Sequence, residues 1–162
     1  MIKQINQYEI DECVSVIKRS FKDIAEQLCI TKENSPNYVL FSINSEKLKT
    51  QFDSGRLMFA AFEENKIVGY YSLNIMDKEC EINNLCVIPE SRHKGIGKKL
   101  LKHAIIKTRE SEINKINISI VEENSKLKKW YEDFGFTHTH TKKFDFFSFT
   151  CGYMEMILSK GD

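Results

Sequence analysis

The stretch from Leu85 to Leu101 constrains the fold of this chain more than any other part of the sequence. It begins as an apolar run that ends at Pro89, continues through a loop with Gly95 and Gly97, and then takes on helical periodicity. The first turn of a helix has unpartnered backbone N–H groups and lies at the positive end of the helix dipole. Glycines at this point either permit a tight turn or let a phosphate approach the backbone. The stretch therefore predicts a strand, a turn and a helix, with a phosphate site as one of two interpretations.

The charge balance of the chain gives no electrostatic argument for nucleic acid or an anionic membrane as a partner. The 162 residues fit one domain, 1–162, and carry 24 basic and 23 acidic side chains, a formal net charge of +1. A local excess of basic residues runs from Arg92 to Lys102. It lies where an anionic ligand of the glycine loop would need it, although a solvated helix face explains the same residues.

The cysteines indicate a reducing compartment. They are odd in number and form no Cys-x-x-Cys pair. The N-terminal residues lack a secretory apolar region, and no apolar run approaches the length of a membrane span. We therefore expect a soluble, cytoplasmic protein with free thiols.

Periodicity and turn signals predict the element order α-α-β-β-β-α-β-α-β-β. Asn6 and Glu9 have the spacing of a capping box, which predicts a first helix that ends near Phe21. Residues 22–44 are irregular. The other predicted helices cover 45–52, the residues after Gly97 and 125–134, and the predicted strands cover 57–62, 67–75, 79–88, 115–121, 137–144 and 153–158.

This order predicts an α/β (α+β) fold with a mixed, mostly antiparallel sheet and flanking helices. The strands that end at Val87 and Val121 are joined through a helix, so they should run parallel. A ligand is expected where their C-terminal ends diverge, beside the glycine loop. The nucleoside-triphosphate loop is excluded because its Gly-x-x-x-x-Gly-Lys-Ser/Thr string is missing, and the dinucleotide fingerprint is excluded because Leu100 stands at its third glycine.

The chain resembles the GNAT family of N-acetyltransferases. The family signature is Arg or Gln, two residues, Gly, one residue, and Gly or Ala, and it stands here from Arg92 to Gly97 after a strand and a turn. Asn124, the pair Trp130-Tyr131 and the run Phe134-Gly135-Phe136 resemble a second signature of the family. The predicted element order matches the GNAT fold over nearly the whole chain.

The resemblance implies acetyl-CoA as the co-substrate. The pyrophosphate would lie on backbone N–H groups of the glycine loop with Arg92 and Lys98 close by, and pantetheine would run beside the third strand where it splays from its neighbour. Asn124 would lie near the cofactor, and it is also a common type of helix N-cap. The cofactor-binding residues expected from the family are Leu85, Cys86, Val87, Arg92, His93, Lys94, Gly95, Ile96, Gly97, Lys98, Asn124 and Tyr131.

The implied reaction moves an acetyl group from a thioester directly to an amine. An alkyl ammonium has a pKa near ~10, so a base must first remove its proton. Glu81 is the candidate base because some family members carry a catalytic Glu at this place. A solvent-exposed residue at the start of a strand is the competing interpretation, and a chain of waters is another route for the proton. Alternation predicts that Glu81, Asn83 and Leu85 share one face of the strand.

Tyr131 is the candidate acid that protonates the CoA thiolate. Its neighbours Leu127, Trp130 and Phe134 make the same helix face apolar, so a core aromatic is the competing interpretation. By resemblance, the N–H of Cys86 or its neighbour stabilises the oxyanion. No Cys/His/acid arrangement supports a cysteine nucleophile.

His138 and His140 alternate along a predicted strand and should share a face, as two metal ligands would. No cysteine or carboxylate cluster completes a ligand set locally, so no metal site is predicted.

The acceptor site is expected between residues 21–41 and the loop 145–152. The aromatic side chains there form either the wall of the acceptor site or merely a packed loop. The predicted function is acetyl-CoA-dependent N-acetylation of a primary amine of a small molecule or peptide. The alternative is a non-catalytic acyl-CoA-binding module, and O-acylation or a longer acyl donor stays open. Exposed strand edges near the C-terminus are compatible with a homodimer.

Overall fold

A computed structural model describes residues 1–159, and its central feature is a seven-stranded sheet in the order β1-β2-β3-β4-β5-β7-β6. The strands are β1 (Ile2–Gln4), β2 (Leu57–Glu63), β3 (Lys66–Met76), β4 (Glu79–Val87), β5 (Lys115–Val121), β6 (Thr137–Lys143) and β7 (Thr150–Ile157). The helices are α1 (Ile10–Gln27), α2 (Val39–Ser42), α3 (Ser45–Asp53), α4 (Ile96–Glu110) and α5 (Ser125–Asp133).

The predicted fold class is confirmed. Within the described residues, β4 and β5 form the one parallel pair of an otherwise antiparallel sheet. The capping box of Asn6 and Glu9 is present, although it opens a 3₁₀ turn that leads into α1. The prediction missed β1 because three residues are too short to show alternation, and it ended α1 near Phe21 although the helix continues to Gln27. No helix in residues 1–159 has the length and apolar character needed to span a bilayer.

Helices cover both faces of the sheet. Helix α1 packs on one face of β3 and β4, here called the α1 face, and α4 packs on the opposite α4 face. Alternation along β3 sends Tyr70 toward Cys13 of α1. It sends Tyr71 to α4, where the Tyr71 hydroxyl lies 2.7 Å from His103 Nδ1. Successive residues of one central strand thus anchor helices on opposite sides.

The parallel pair is short. Glu79–Glu81 of β4 pair with Lys115–Asn117 of β5, and the pairing ends there although both strands continue. On its other side, β5 stays paired with β7 along its whole length. Because β5 follows β7, it diverges from β4 after Glu81, and a gap opens between the C-terminal halves of β4 and β5.

A β-bulge lies in the same part of β4. Tyr70 pairs with Cys86 while Ser72 pairs with Asn83, so β4 has one extra residue at this point. Asn84 has a positive φ of 55°, a conformation that Asn tolerates better than most residues. The bulge corrects the predicted alternation, because Cys86 rather than Leu85 joins Glu81 and Asn83 on the α1 face.

Gly69 lies where β3, β4 and α4 pack closely together. A Cβ at this position would lie 2.8 Å from Leu100 Cδ1 and 3.0 Å from the Cys86 carbonyl oxygen. Gly69→Ala should therefore lower the free energy of unfolding by about 1–3 kcal/mol, measured by urea denaturation. Gly97→Ala is the matched control, because its Cβ would make ordinary contacts of 3.7 Å or more. Equal stability of the two variants would contradict this packing.

Candidate active site

Unpartnered backbone amides line the loop at the open end of the gap. Within residues 1–159, the N–H groups from His93 to Lys98 have no hydrogen-bond partner, and the helical bonds of α4 begin with Lys99 N–H to Gly95 O at 3.0 Å. His93 and Gly95 have positive φ angles of 63° and 82°. Left-handed residues in a turn direct successive N–H groups into one concavity, which is how backbone binds anions. The geometry of the loop is therefore compatible with binding of a phosphate-like group.

The Arg92 side chain points away from these amides and toward α1. Its Nε donates to the Val87 carbonyl at 3.0 Å, and Nη2 donates to the Ser20 carbonyl at 2.7 Å. Its guanidinium also forms an ion pair with Asp23. The family resemblance implies that Arg92 lies near the pyrophosphate, which stays a prediction, and in the structure its side chain ties the loop to β4 and α1. Lys98 is exposed at the start of α4, and its ammonium has no ion-pair partner among the described residues.

Helix α5 reaches the glycine loop through Trp130. A Cβ on Gly97 would lie 3.7 Å from the Trp130 ring and 3.8 Å from Val87, so this position has room for Ala and little more. At the start of α5, the Asn124 side chain accepts a hydrogen bond of 3.3 Å from Leu127 N–H. Asn124 is thus the N-cap of α5, and its Nδ2 has no partner within the described residues. The two signature segments of the sequence meet at the gap.

Tyr131 is a buried residue of α5 that lies near β4. Its side chain is 5% exposed and packs edge-on against Trp130 and Phe136. Burial raises the pKa of the Tyr131 hydroxyl, and the Cys86 thiol is close enough to add to the rise. Tyr131 therefore stays protonated at physiological pH, and no described residue accepts or donates a hydrogen bond at its hydroxyl.

Glu81 is the last residue of β4 that pairs with β5, and the gap begins after it. Burial raises the pKa of its carboxyl, and the positive charge of Arg56 opposes part of that rise. No residue in the described part of the chain makes a hydrogen bond to this carboxylate. A partly buried carboxylate with a raised pKa accepts a proton more readily than an exposed one.

The cysteines beside the gap are poor nucleophiles. Cys86 is 8% exposed, and burial raises its pKa to about 12. Burial also raises the pKa of Cys151. Both thiols stay protonated at neutral pH, which agrees with the absence of a cysteine nucleophile in the sequence interpretation.

His138 and His140 do not share a strand face, which corrects the prediction. A register shift between them pairs His138 with Met154 and His140 with Tyr153, so the residue between them is the extra one of a bulge. His138 Nε2 lies 2.9 Å from Glu122 Oε2, and His140 stacks on Tyr153 at a centroid distance of 4.5 Å. No group of three or more His, Cys, Asp or Glu residues in the described region is arranged to bind a metal.

Residues 21–41 and the loop 145–152, the two segments expected to form the acceptor site, meet above the α1 face. Tyr38 and Phe149 pack edge-on with their centroids 5.4 Å apart, and Ser148 N–H donates to Ser35 Oγ at 2.9 Å. The contacts belong to a second hydrophobic cluster, here called the aromatic cluster, whose buried members are Ala25, Ile30, Tyr38, Phe149 and Cys151. Val121 and Tyr153 connect this cluster to β5 and β7, so it borders the same sheet face as Glu81.

Sequence reasoning missed three polar residues near Glu81. The Tyr70 and Ser72 hydroxyls are buried near each other and have no further partner within the described residues, and they lie opposite Cys86 and Asn83 on the α1 face. The charge of Arg56 acts on both Tyr70 and Glu81. The missed residues carried no signal in the sequence, because Tyr and Ser are ordinary strand residues and Arg56 stands in a polar turn.

Comparison with known proteins identifies relatives among acetyltransferases. Residues 22–136 match the family model described as the acetyltransferase (GNAT) family. Mycothiol acetyltransferase from Propionibacterium freudenreichii is 26% identical over 137 residues, which cover 82% of this chain but only 41% of that relative. Spermidine N(1)-acetyltransferase from Thermoplasma acidophilum is 24% identical over 149 residues, covering 90% of this chain and 92% of the relative.

Solved structures share the fold along the whole chain. The PaiA N-acetyltransferase from Thermoplasma acidophilum, in complex with coenzyme A, superposes with a TM-score of 0.83 at 22% identity over 97% of this chain and 98% of its own. The ribosomal-protein-S18-alanine N-acetyltransferase from Escherichia coli gives a TM-score of 0.79 at 14% identity over 100% and 96% of the two chains. Because the family match spans residues 22–136 of 162, well over half of the sequence, this chain belongs to the acetyltransferase (GNAT) family.

Proposed function

We propose that this chain is an acetyl-CoA-dependent N-acetyltransferase that moves an acetyl group directly to a primary amine of a small molecule or peptide. The observation that carries the proposal is the gap between β4 and β5, which ends at the unpartnered amides of His93 to Lys98. The gap fits an extended chain, and the amides fit a pyrophosphate. Acetyl-CoA has both parts.

The donor would be held mainly by backbone. Beyond Glu81, the edge of β4 that faces β5 has no strand partner, so backbone groups in the segment Leu85, Cys86 and Val87 that face this edge would pair with the pantetheine amides. The amides from His93 to Lys98 would bind the pyrophosphate, and exposed Lys98 would add positive charge. Arg92 serves as a positioning residue for the loop. Asn124 Nδ2 is available on the α5 side of the gap.

Glu81 and Tyr131 would handle the two protons of the reaction. Glu81 takes a proton from the acceptor ammonium, directly or through water, and the free amine then attacks the thioester carbon. As the C–N bond forms and the C–S bond breaks, the Cys86 N–H or its neighbour at the bulge stabilises the oxyanion. The protonated Tyr131 hydroxyl donates to the departing sulfur.

We also propose that residues 1–162 act as one domain and that the enzyme is cytoplasmic. All five cysteines are free thiols, which supports a reducing compartment. Strands β1 and β6 are the edges of the sheet, and the homodimer stays a prediction.

Removal of the Arg92 anchor should weaken donor binding. Arg92→Ala frees the loop from α1, so the affinity for coenzyme A should fall about tenfold, or about 1.4 kcal/mol, in titration calorimetry. Asp23→Asn removes the other partner of the ion pair and should cause a smaller loss in the same direction. Arg109→Ala, an exposed position on α4, is the control and should bind like the wild type. Unchanged affinity in Arg92→Ala would contradict the role of this anchor.

Removal of the proposed base should slow turnover and change its pH dependence. Glu81→Gln should lower kcat by about a hundredfold or more, measured as thiol release from acetyl-CoA. Burial raises the Glu81 pKa above 4.5. Wild-type activity should therefore decline as the pH falls through that raised value, and the variant should lose this acid limb.

The control for this experiment is Glu79→Gln. Glu79 lies two residues earlier on the same strand face, and its carboxylate is paired with Lys115. This variant should keep both the rate and the acid limb. An unchanged rate in Glu81→Gln would show that waters or another group remove the proton. Coenzyme A binding without turnover on any amine would favour the non-catalytic module.

Loss of the Tyr131 hydroxyl should affect catalysis and leave stability unchanged. Tyr131→Phe removes an oxygen that has no protein partner within residues 1–159, so the melting temperature should stay near that of the wild type. The kcat should fall about a hundredfold, because the departing sulfur loses its donor. Tyr8→Phe, at an exposed position, controls for the substitution itself. A variant with full activity would identify Tyr131 as a core aromatic only.

A further inference from the structure

Arg56 is a partly buried cation whose guanidinium makes no ion pair with a described residue. Its backbone N–H donates to the Gln51 carbonyl at 3.2 Å, but its guanidinium has no hydrogen bond or ion pair within residues 1–159. Other partly buried cations form ion pairs, as Arg92 does with Asp23 and Lys115 with Glu155. A charge that is partly removed from water is costly unless another charge or a hydrogen bond compensates for it. An unpaired guanidinium here calls for an explanation.

The strand register places Arg56 close to Glu81. Leu57, the next residue, pairs with Leu73 of β3, and the residue after Leu73 is Asn74, which pairs with Glu81 of β4. Arg56, which directly precedes β2, therefore lies in one row of the sheet with Asn74 of β3 and Glu81 of β4. Arg56 and Asn74 also line a shallow cleft of about 170 Å³ at this end of the sheet. The cation and the proposed base share one end of the α1 face.

The two unpaired charges have opposite signs. The amine that reacts must approach Glu81 as an ammonium, so the acceptor needs a positive group there. A guanidinium nearby repels a second ammonium, and its planar fork of donors matches a carboxylate. Glu81 and Arg56 together thus match an acceptor that carries an ammonium and a carboxylate a short distance apart.

The aromatic cluster adds a third feature. It borders β5 and β7 on the same face. Burial raises the pKa of Tyr153, which packs against the cluster, and Glu81 is close enough to add to the rise. Beside the two charges, the acceptor therefore meets an apolar and aromatic surface.

We propose that the acceptor is a free amino acid with an apolar or aromatic side chain, and that Arg56 binds its carboxylate while Glu81 receives the proton of its ammonium. The inference rests on the N-acetyltransferase function proposed above. In the reaction, the amino nitrogen bonds to the acetyl carbon as the bond from that carbon to the CoA sulfur breaks. The product is an N-acetyl amino acid, and Arg56 contributes specificity.

The test compares L-phenylalanine with L-phenylalaninamide, which has the same side chain and amine but lacks the carboxylate. With the wild type, kcat/KM from thiol release should be at least about tenfold higher for the acid than for the amide. The amide has the more easily deprotonated amine, so a preference for the acid cannot come from amine reactivity. Spermidine serves as a polycationic probe and should react more slowly than either.

Substitution of Arg56 shows whether the carboxylate is the feature recognised. Arg56→Gln should lose at least about tenfold in kcat/KM for phenylalanine and little for the amide, with KM for acetyl-CoA unchanged. Arg56→Lys should restore part of the preference, because the charge returns without the fork. Arg109→Gln, an exposed Arg on α4, should behave like the wild type with both acceptors.

Each contrary outcome overturns a defined part of the inference. An equal loss for acid and amide in Arg56→Gln would make Arg56 a counter-charge of Glu81, and the carboxylate role would be wrong. Turnover of the amide or spermidine in preference to the acid would overturn the acceptor class and leave the N-acetyltransferase intact. No thiol release with phenylalanine, while another amine such as a peptide N-terminus is acetylated, would overturn the acceptor class alone, and no thiol release with any amine would overturn both proposals.

Discussion

The divergence of β4 from β5 after Glu81 is the constraint on which the rest of the structure depends. Strand β5 pairs with β7 along its whole length, and β4 stays with β3, so beyond Glu81 each strand keeps one ladder and leaves its other edge open to the gap. The bulge at Asn84 adds a local twist and leaves backbone groups outside the ladder. Backbone polar groups inside a protein need partners, so a gap of this kind is a place for an extended ligand that carries amides of its own.

Anchors outside the gap hold the parts that line it. Arg92 joins the glycine loop to the end of β4 and to α1 through three acceptors, one on Val87 and two on α1. From the other side, Trp130 contacts Gly97 and brings α5 against the start of α4. These contacts place the unpartnered amides at the open end of the gap. Arg92 and Trp130 therefore position the site and take no part in the proposed chemistry.

Burial sets the protonation states around the gap. It keeps the Tyr131 hydroxyl protonated and the Cys86 thiol neutral, and it makes the Glu81 carboxylate more basic than a carboxylate in water. The proposed mechanism uses the protonated Tyr131 hydroxyl as the acid and the Glu81 carboxylate as the base. The positive charge of Arg56 opposes part of the rise in the Glu81 pKa.

Local sequence determined the elements whose signals lie within a few residues. The apolar strand, Pro89 and the glycine pair predicted the strand, turn and helix, and Asn124 predicted the start of α5. The element order then predicted the parallel pair of β4 and β5, because a helix joins them. Together with the family signatures, these local patterns were sufficient for the fold class and for the family.

Only the tertiary structure decided what depends on pairing across the chain. The bulges in β4 and β6 change which side chains share a face, so the predicted sets of Glu81 with Leu85 and of His138 with His140 were wrong. Strand β1 exists because β2 offers it an edge, and the side chain of Arg92 turns inward because Asp23 of α1 lies there. The position of Arg56 beside Glu81 follows from the register of three strands. Register and ion pairing join residues far apart in sequence, and the alternation of a single strand carries no information about either.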